Sequence, residues 1–63
     1  MKIKFNKKIY SKKALNRAMD DFKDLMDCNL KEVDGYYVIN ANYKKDYDNL
    51  EEEFSNYVLA LMK

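Results

Sequence analysis

Histidine, proline and tryptophan are absent from this 63-residue chain, and glycine and cysteine occur once each, as Gly35 and Cys28. Each gap closes off a kind of chemistry. Without histidine there is no unperturbed side chain that titrates near neutrality, no imidazole metal ligand and no serine or cysteine triad. A single glycine cannot build a glycine-rich phosphate loop. One cysteine cannot close an intramolecular disulfide, and a lone thiol fits a reducing compartment, where it behaves as a small buried hydrophobe. No stretch approaches the roughly 18 consecutive apolar residues of a membrane span. MKIKFNKKIY also has lysines where a signal peptide would have an unbroken apolar run, so the expectation is a cytoplasmic protein with no membrane segment. The carboxylates Glu51, Glu52 and Glu53 are consecutive on a helical pattern, so they fan round it instead of converging on a substrate. The chain is therefore expected to have no catalytic, cofactor-binding or metal-binding residue and not to be an enzyme.

What is present is charge and tyrosine. Charged residues make up 37% of the chain, and six tyrosines and three phenylalanines supply the aromatic content. That is the composition of a folded domain, here a single one spanning residues 1–63. A chain this short hides only about 60% of the surface its unfolded form exposes, so a partner or a second copy would add to a thin core. The net charge is +1, yet residues 1–17 carry Lys2, Lys4, Lys7, Lys8, Lys12, Lys13 and Arg17 with no acid, and the remainder is acidic.

KIKF alternates charged and apolar residues, the period of a half-buried strand with Ile3 and Phe5 inward and Lys2 and Lys4 outward. Ser11 supplies an N-cap, and Tyr10 before it can staple onto Leu15. A helix of about 16 residues is predicted from the gaps of three and four among Ala14, Leu15, Ala18, Met19, Phe22, Leu25 and Met26, with Arg17 and Asp21, and Lys23 and Asp27, at i,i+4 spacing. Asp34 and Gly35 between two β-prone runs predict a hairpin with a two-residue type I′ turn. That turn pairs Val33 with Tyr36, Leu30 with Ile39 and Cys28 with Ala41. Cys28, Leu30, Tyr37, Ile39, Ala41 and Tyr43 then share the core face. Asn29, Lys31, Val33, Tyr36, Val38, Asn40 and Asn42 share the other. A second helix is predicted to start near Asp46 or Asp48, where Asp48 and Glu51 have capping-box spacing and the three glutamates sit in a positive first turn.

The order strand, helix, strand, strand, helix gives an α+β fold, two helices on one face of a three-stranded sheet. The favoured strand order is one, three, two, a ferredoxin-like arrangement without its last strand; the alternative places strands one and two side by side in parallel. In the favoured order strand one is an edge, able to accept another strand, with its lysines either deterring unwanted pairing or guiding an acidic guest. In the last helix YVLALM is apolar at six consecutive positions. Leu50, Phe54, Tyr57, Val58 and Leu61 form one stripe, while Leu59 and Met62 fall beside or opposite it.

IYSKKALNRAMDDFKDL, the hairpin around VDGYYVINA, and EEEFSNYVLALM together resemble the small HxsD-like proteins of His-Xaa-Ser peptide-maturation systems. The residues that carry the resemblance are Tyr10, Ser11, Ala14, Ala18, Phe22, Glu53, Phe54 and Asn56, and it spans nearly the whole chain. It implies a non-catalytic accessory protein that binds a ribosomally made precursor peptide, its radical SAM maturase, or both. The candidate recognition residues are Lys2, Lys4, Phe5, Ile9, Tyr10, Lys13 and Arg17 around strand one and the start of the first helix, with Asn56, Leu59 and Met62 in the last; Asn56 owes its place to the resemblance alone. A second hypothesis is a homodimer that buries Leu59 and Met62 and has no peptide client. A third and weaker one is nucleic-acid binding by the N-terminal lysines with Phe5 and Tyr10, set against a nearly neutral net charge.

Overall fold

The computed structural model describes residues 1–63 as β1 (Lys2–Asn6), α1 (Lys12–Asp21), β2 (Met26–Val33), β3 (Tyr36–Tyr43) and α2 (Leu50–Leu61). The three strands form one antiparallel sheet in the order β1-β3-β2. The fold is thus α+β with the favoured strand order, and β1 and β2 are its edges. The alternation in KIKF sets the face of β1: Ile3 and Phe5 are buried while Lys2 and Lys4 are exposed. The hairpin register is the one its turn residues dictate, with Val33 opposite Tyr36, Leu30 opposite Ile39 and Cys28 opposite Ala41.

The helices cover one face of the sheet, and the core between them is wholly apolar, with no buried polar or charged residue. A chain of aromatic contacts crosses it. Tyr10 meets Phe5 edge-on at 4.8 Å, Phe5 lies 6.2 Å from Phe54, Phe54 meets Phe22 edge-on at 5.2 Å, and Phe22 lies 5.3 Å from Tyr57. Edge-on geometry is a favourable one for aromatic rings, and the Phe5–Tyr10 and Phe22–Phe54 contacts each contribute about 0.5–1.5 kcal/mol beyond the area buried. Phe5–Phe54 ties α2 to β1. At the other side, Lys12 at the start of α1 reaches Glu32 of β2 at 3.0 Å. So α2 lies toward the β1 edge and α1 toward the β2 edge.

Several local expectations are corrected. Ser11 does cap α1, accepting from the Ala14 amide at 3.1 Å, but the helix stops at Asp21 and does not run on for about 16 residues. Continuing it would bring Asp24 and Asp27 to join Asp20 and Asp21 at the negative end of the helix dipole, an unfavourable arrangement. Instead Phe22 caps the helix and Met26 begins β2, paired with Tyr43 and buried. The amides of Leu25 and Met26 both donate to the Phe22 carbonyl, so the turn keeps helix-like spacing and the apolar period runs past the true helix end. Lys23 pairs with Asp20 at 3.8 Å, while Asp27 pairs with Lys44 at 3.8 Å; only the Arg17–Asp21 pair forms as its spacing predicts, at 3.3 Å.

The second helix starts from Asn49, not Asp46 or Asp48. Asn49 adopts the left-handed conformation, φ 59°, and makes no side-chain cap bond; asparagine is among the few residues that take this conformation at modest cost. The hairpin turn is not type I′. Asp34 has φ 53° while Gly35 has no positive φ, so the second central residue lacks the left-handed conformation that type I′ requires. Two faces also need adjusting. Tyr43 is exposed at the end of the core face, its hydroxyl 2.8 Å from the Met1 sulfur. Val38 on the uncovered face is only 8% exposed, because Lys4 and Lys31 flank it in register and their aliphatic stems can lie over it.

Candidate binding edge of the sheet

The free edge of β1 follows from the phase of its hydrogen bonds. Met1 and Ala41 exchange both backbone bonds, at 3.0 and 2.9 Å, and the Lys7 amide donates to the Gly35 carbonyl at 3.0 Å. In an antiparallel pair such bonds fall on alternate residues, so Met1, Ile3, Phe5 and Lys7 bond inward to β3. The amides of Lys2, Lys4 and Asn6 and the carbonyls of Lys2 and Lys4 therefore point away from the sheet. The Asn6 carbonyl is already used, accepting from Ile9 and Tyr10.

At the opposite edge, the Lys44 amide donates to Leu25, which turns the backbone groups of Cys28, Leu30 and Glu32 outward from β2. The two edges differ in charge. β2 carries Asp27 and Glu32 against a single lysine, Lys31, and Glu32 is held by Lys7 at 3.1 Å and Lys12 at 3.0 Å. Those two lysines bond to the carboxylate, which holds its pKa below the usual carboxylate value. β1 carries no acid, and neither Lys2 nor Lys4 enters an ion pair; the Lys4 ammonium lies 5.6 Å from the centre of the Tyr36 ring. A cationic strand with unpaired backbone groups is suited to hold an extended anionic segment.

The other candidate residues divide among different places. Phe5 is 2% exposed and belongs to the core, so it is corrected out of any recognition surface. Tyr10 is half-buried against it. Ile9, in the turn after β1, is 64% exposed, the most open of the large apolar side chains. Lys13 and Arg17 line a shallow groove between the helices with Ser11, Ala14 and Leu61. Arg17 is engaged there by Asp21, which also accepts from the Tyr57 hydroxyl and so raises that phenol's pKa.

Asn56, Leu59 and Met62 do come together, in a second shallow depression with Ala60 and Lys63. Met62 is less available than its position in the helical pattern implies. It packs partly against the core, and its sulfur lies 3.5 Å from the Ser11 amide. Leu59, 40% exposed, is the large apolar side chain of YVLALM left most open, which narrows the patch on which a dimer through both residues would rest.

Glu32 and its two lysines were missed by sequence reasoning, since nothing local links Lys7 and Lys12 to a residue at position 32. Cys28 faces the core side of β2, where burial, reinforced by the neighbouring Asp27 charge, pushes its thiol pKa up and away from nucleophilic use. No group of three or more His, Cys, Asp or Glu side chains is placed to hold a metal ion, and no helix is long and apolar enough to cross a membrane. Compared with protein-family models, with curated proteins and with solved structures, the chain matches none.

Proposed function

We propose that this is a non-catalytic accessory protein that binds an extended peptide segment as an added strand on β1, its clients being a ribosomally made precursor peptide, the radical SAM maturase that modifies it, or both. The observation that carries the reading is the outer edge of β1, where the backbone groups of Lys2 and Lys4 are unpaired beside two ammonium groups free of carboxylate partners. Main-chain bonds to a sheet edge give affinity without reading sequence, and flanking side chains then select the guest. The HxsD-like pattern in Tyr10, Ser11, Ala14, Ala18, Phe22, Glu53, Phe54 and Asn56 supports the choice of client. The experiment is co-purification with any radical SAM enzyme, and titration with any short peptide, that the neighbouring genes encode. Retention of either supports the proposal; failure of both, with the protein folded, rejects it.

A further inference from the structure

We infer that the segment accepted beside β1 alternates acidic with apolar side chains, the acids facing Lys4 and Lys2 and the intervening apolar residue turning toward the flank of α2 that carries Ser55 and Leu59. The inference rests on the edge-binding reading above and specifies its guest.

Connectivity marks the same place. A right-handed crossover from β3 through α2 would deliver a further strand beside β1, running antiparallel to it. The slot has two unlike walls. On the uncovered side of the sheet stand Lys2 and Lys4. On the helix side, α2 turns Tyr57 and Leu61 toward α1, through the contacts of Tyr57 with Phe22 and Asp21 and the groove shared by Leu61, Ser11 and Ala14. At about 100° per residue, Leu59 falls on nearly the opposite flank from Tyr57, with Ser55 one turn before it. Because α2 is the helix tied to β1 through Phe54 and Phe5, that opposite flank looks over the free edge.

Register then fixes the pattern. Lys2 and Lys4 each direct both backbone groups outward, so an antiparallel guest pairs two alternate residues with them, and paired residues place their side chains on the same face. Opposite charges in those pairs stabilise the ladder and like charges destabilise it. The residue between them sits opposite Ile3 and points to the helix side, where an exposed leucine favours an apolar partner. The same rule disfavours a second copy of this chain: β1 pairing with its own equivalent would set lysine against lysine.

The test uses the full chain and three short peptides of equal length: glutamate alternating with valine, the same residues in two blocks, and lysine alternating with valine. The alternating glutamate peptide is expected to bind about three- to tenfold more tightly than either other, the range two exposed ion pairs support, and to shift the amide resonances of Lys2 and Lys4. Reversing the charge with Lys2→Glu and Lys4→Glu, at exposed positions outside the core, should move the preference to the lysine peptide. Equal binding of the acidic and basic alternating peptides, or of the block peptide, overturns the pattern while leaving edge pairing intact. Protection of the Lys2 and Lys4 amides in a dimer of the free chain also overturns it. If no alternating peptide binds and the precursor peptide also fails, both readings fall together.

Discussion

Lys12, the first residue of α1, and Glu32, next to last in β2, meet at 3.0 Å across the end of the sheet, and Lys7 joins the same carboxylate at 3.1 Å. The bonds to Lys12 and then to Lys7 hold the Glu32 pKa below its ordinary value. A depressed folded-state pKa contributes stability that is present above the unfolded value and lost as pH falls through the folded one. Replacing Glu32 with Gln should therefore lower stability at neutral pH and flatten the acid limb of the pH profile. Urea denaturation of both proteins across the acid range checks this; parallel profiles would contradict it.

The hairpin turn yields a prediction opposite to the usual one for an Asp-Gly hairpin. A type I′ turn needs positive φ at both central residues, so Gly35→Ala would be costly there. Here Gly35 has no positive φ, and a Cβ added to it meets nothing within 4 Å. Gly35→Ala is thus expected to leave stability unchanged or raise it by up to about 1 kcal/mol, through the lower entropy of the unfolded chain. A clear loss in thermal melting would place the left-handed residue at Gly35 after all.

Phe54 and Leu59 lie five residues apart on α2 and should respond very differently to truncation. Phe54 is fully buried at the centre of the aromatic chain, and Phe54→Ala should cost about 3–5 kcal/mol. A chain of this length has only about 3–9 kcal/mol in total, so that variant should lose a third or more of its stability and melt far below the parent by circular dichroism. Leu59→Ala, on the open flank, should stay within about 0.5 kcal/mol of the parent. Leu59 can therefore be altered in binding experiments without losing the fold.

Cys28 should react slowly with iodoacetamide at neutral pH, because burial and the Asp27 charge both keep it as the thiol. Alkylation should accelerate sharply in urea, in step with global unfolding. Equal rates in the folded and unfolded protein would show that β2 does not shield the sulfur.

Much of the fold is written in local periods. The alternation of Ile3 and Phe5, the Asp34–Gly35 step and the apolar gaps of three and four dictate each element's type, and the hairpin register with them. The end of α1 is not legible, because the turn at Phe22–Met26 repeats helical spacing while its backbone leaves the helix. The edge of β1 could be read once the strand order was favoured, and its charge is plain in MKIK. Phe5 shows the limit of composition: an aromatic among lysines suggests a contact surface, yet its alternation with Lys4 already turns it inward. The flank of Ser55 and Leu59 facing that edge depends on how α2 is rotated against β1, which rests on the distant contact of Phe54 with Phe5. Glu32 is equally non-local, since its partners lie 20 or more residues back along the chain.

The most direct test of the central claim is amide hydrogen exchange at Lys2 and Lys4, with and without the peptide of alternating glutamate and valine. Strand addition predicts that both amides, which point away from the sheet in the free protein, become protected on binding, while the already bonded amide of Ala41 changes little. A bound peptide that leaves Lys2 and Lys4 exchanging at their free-protein rates would contradict the account.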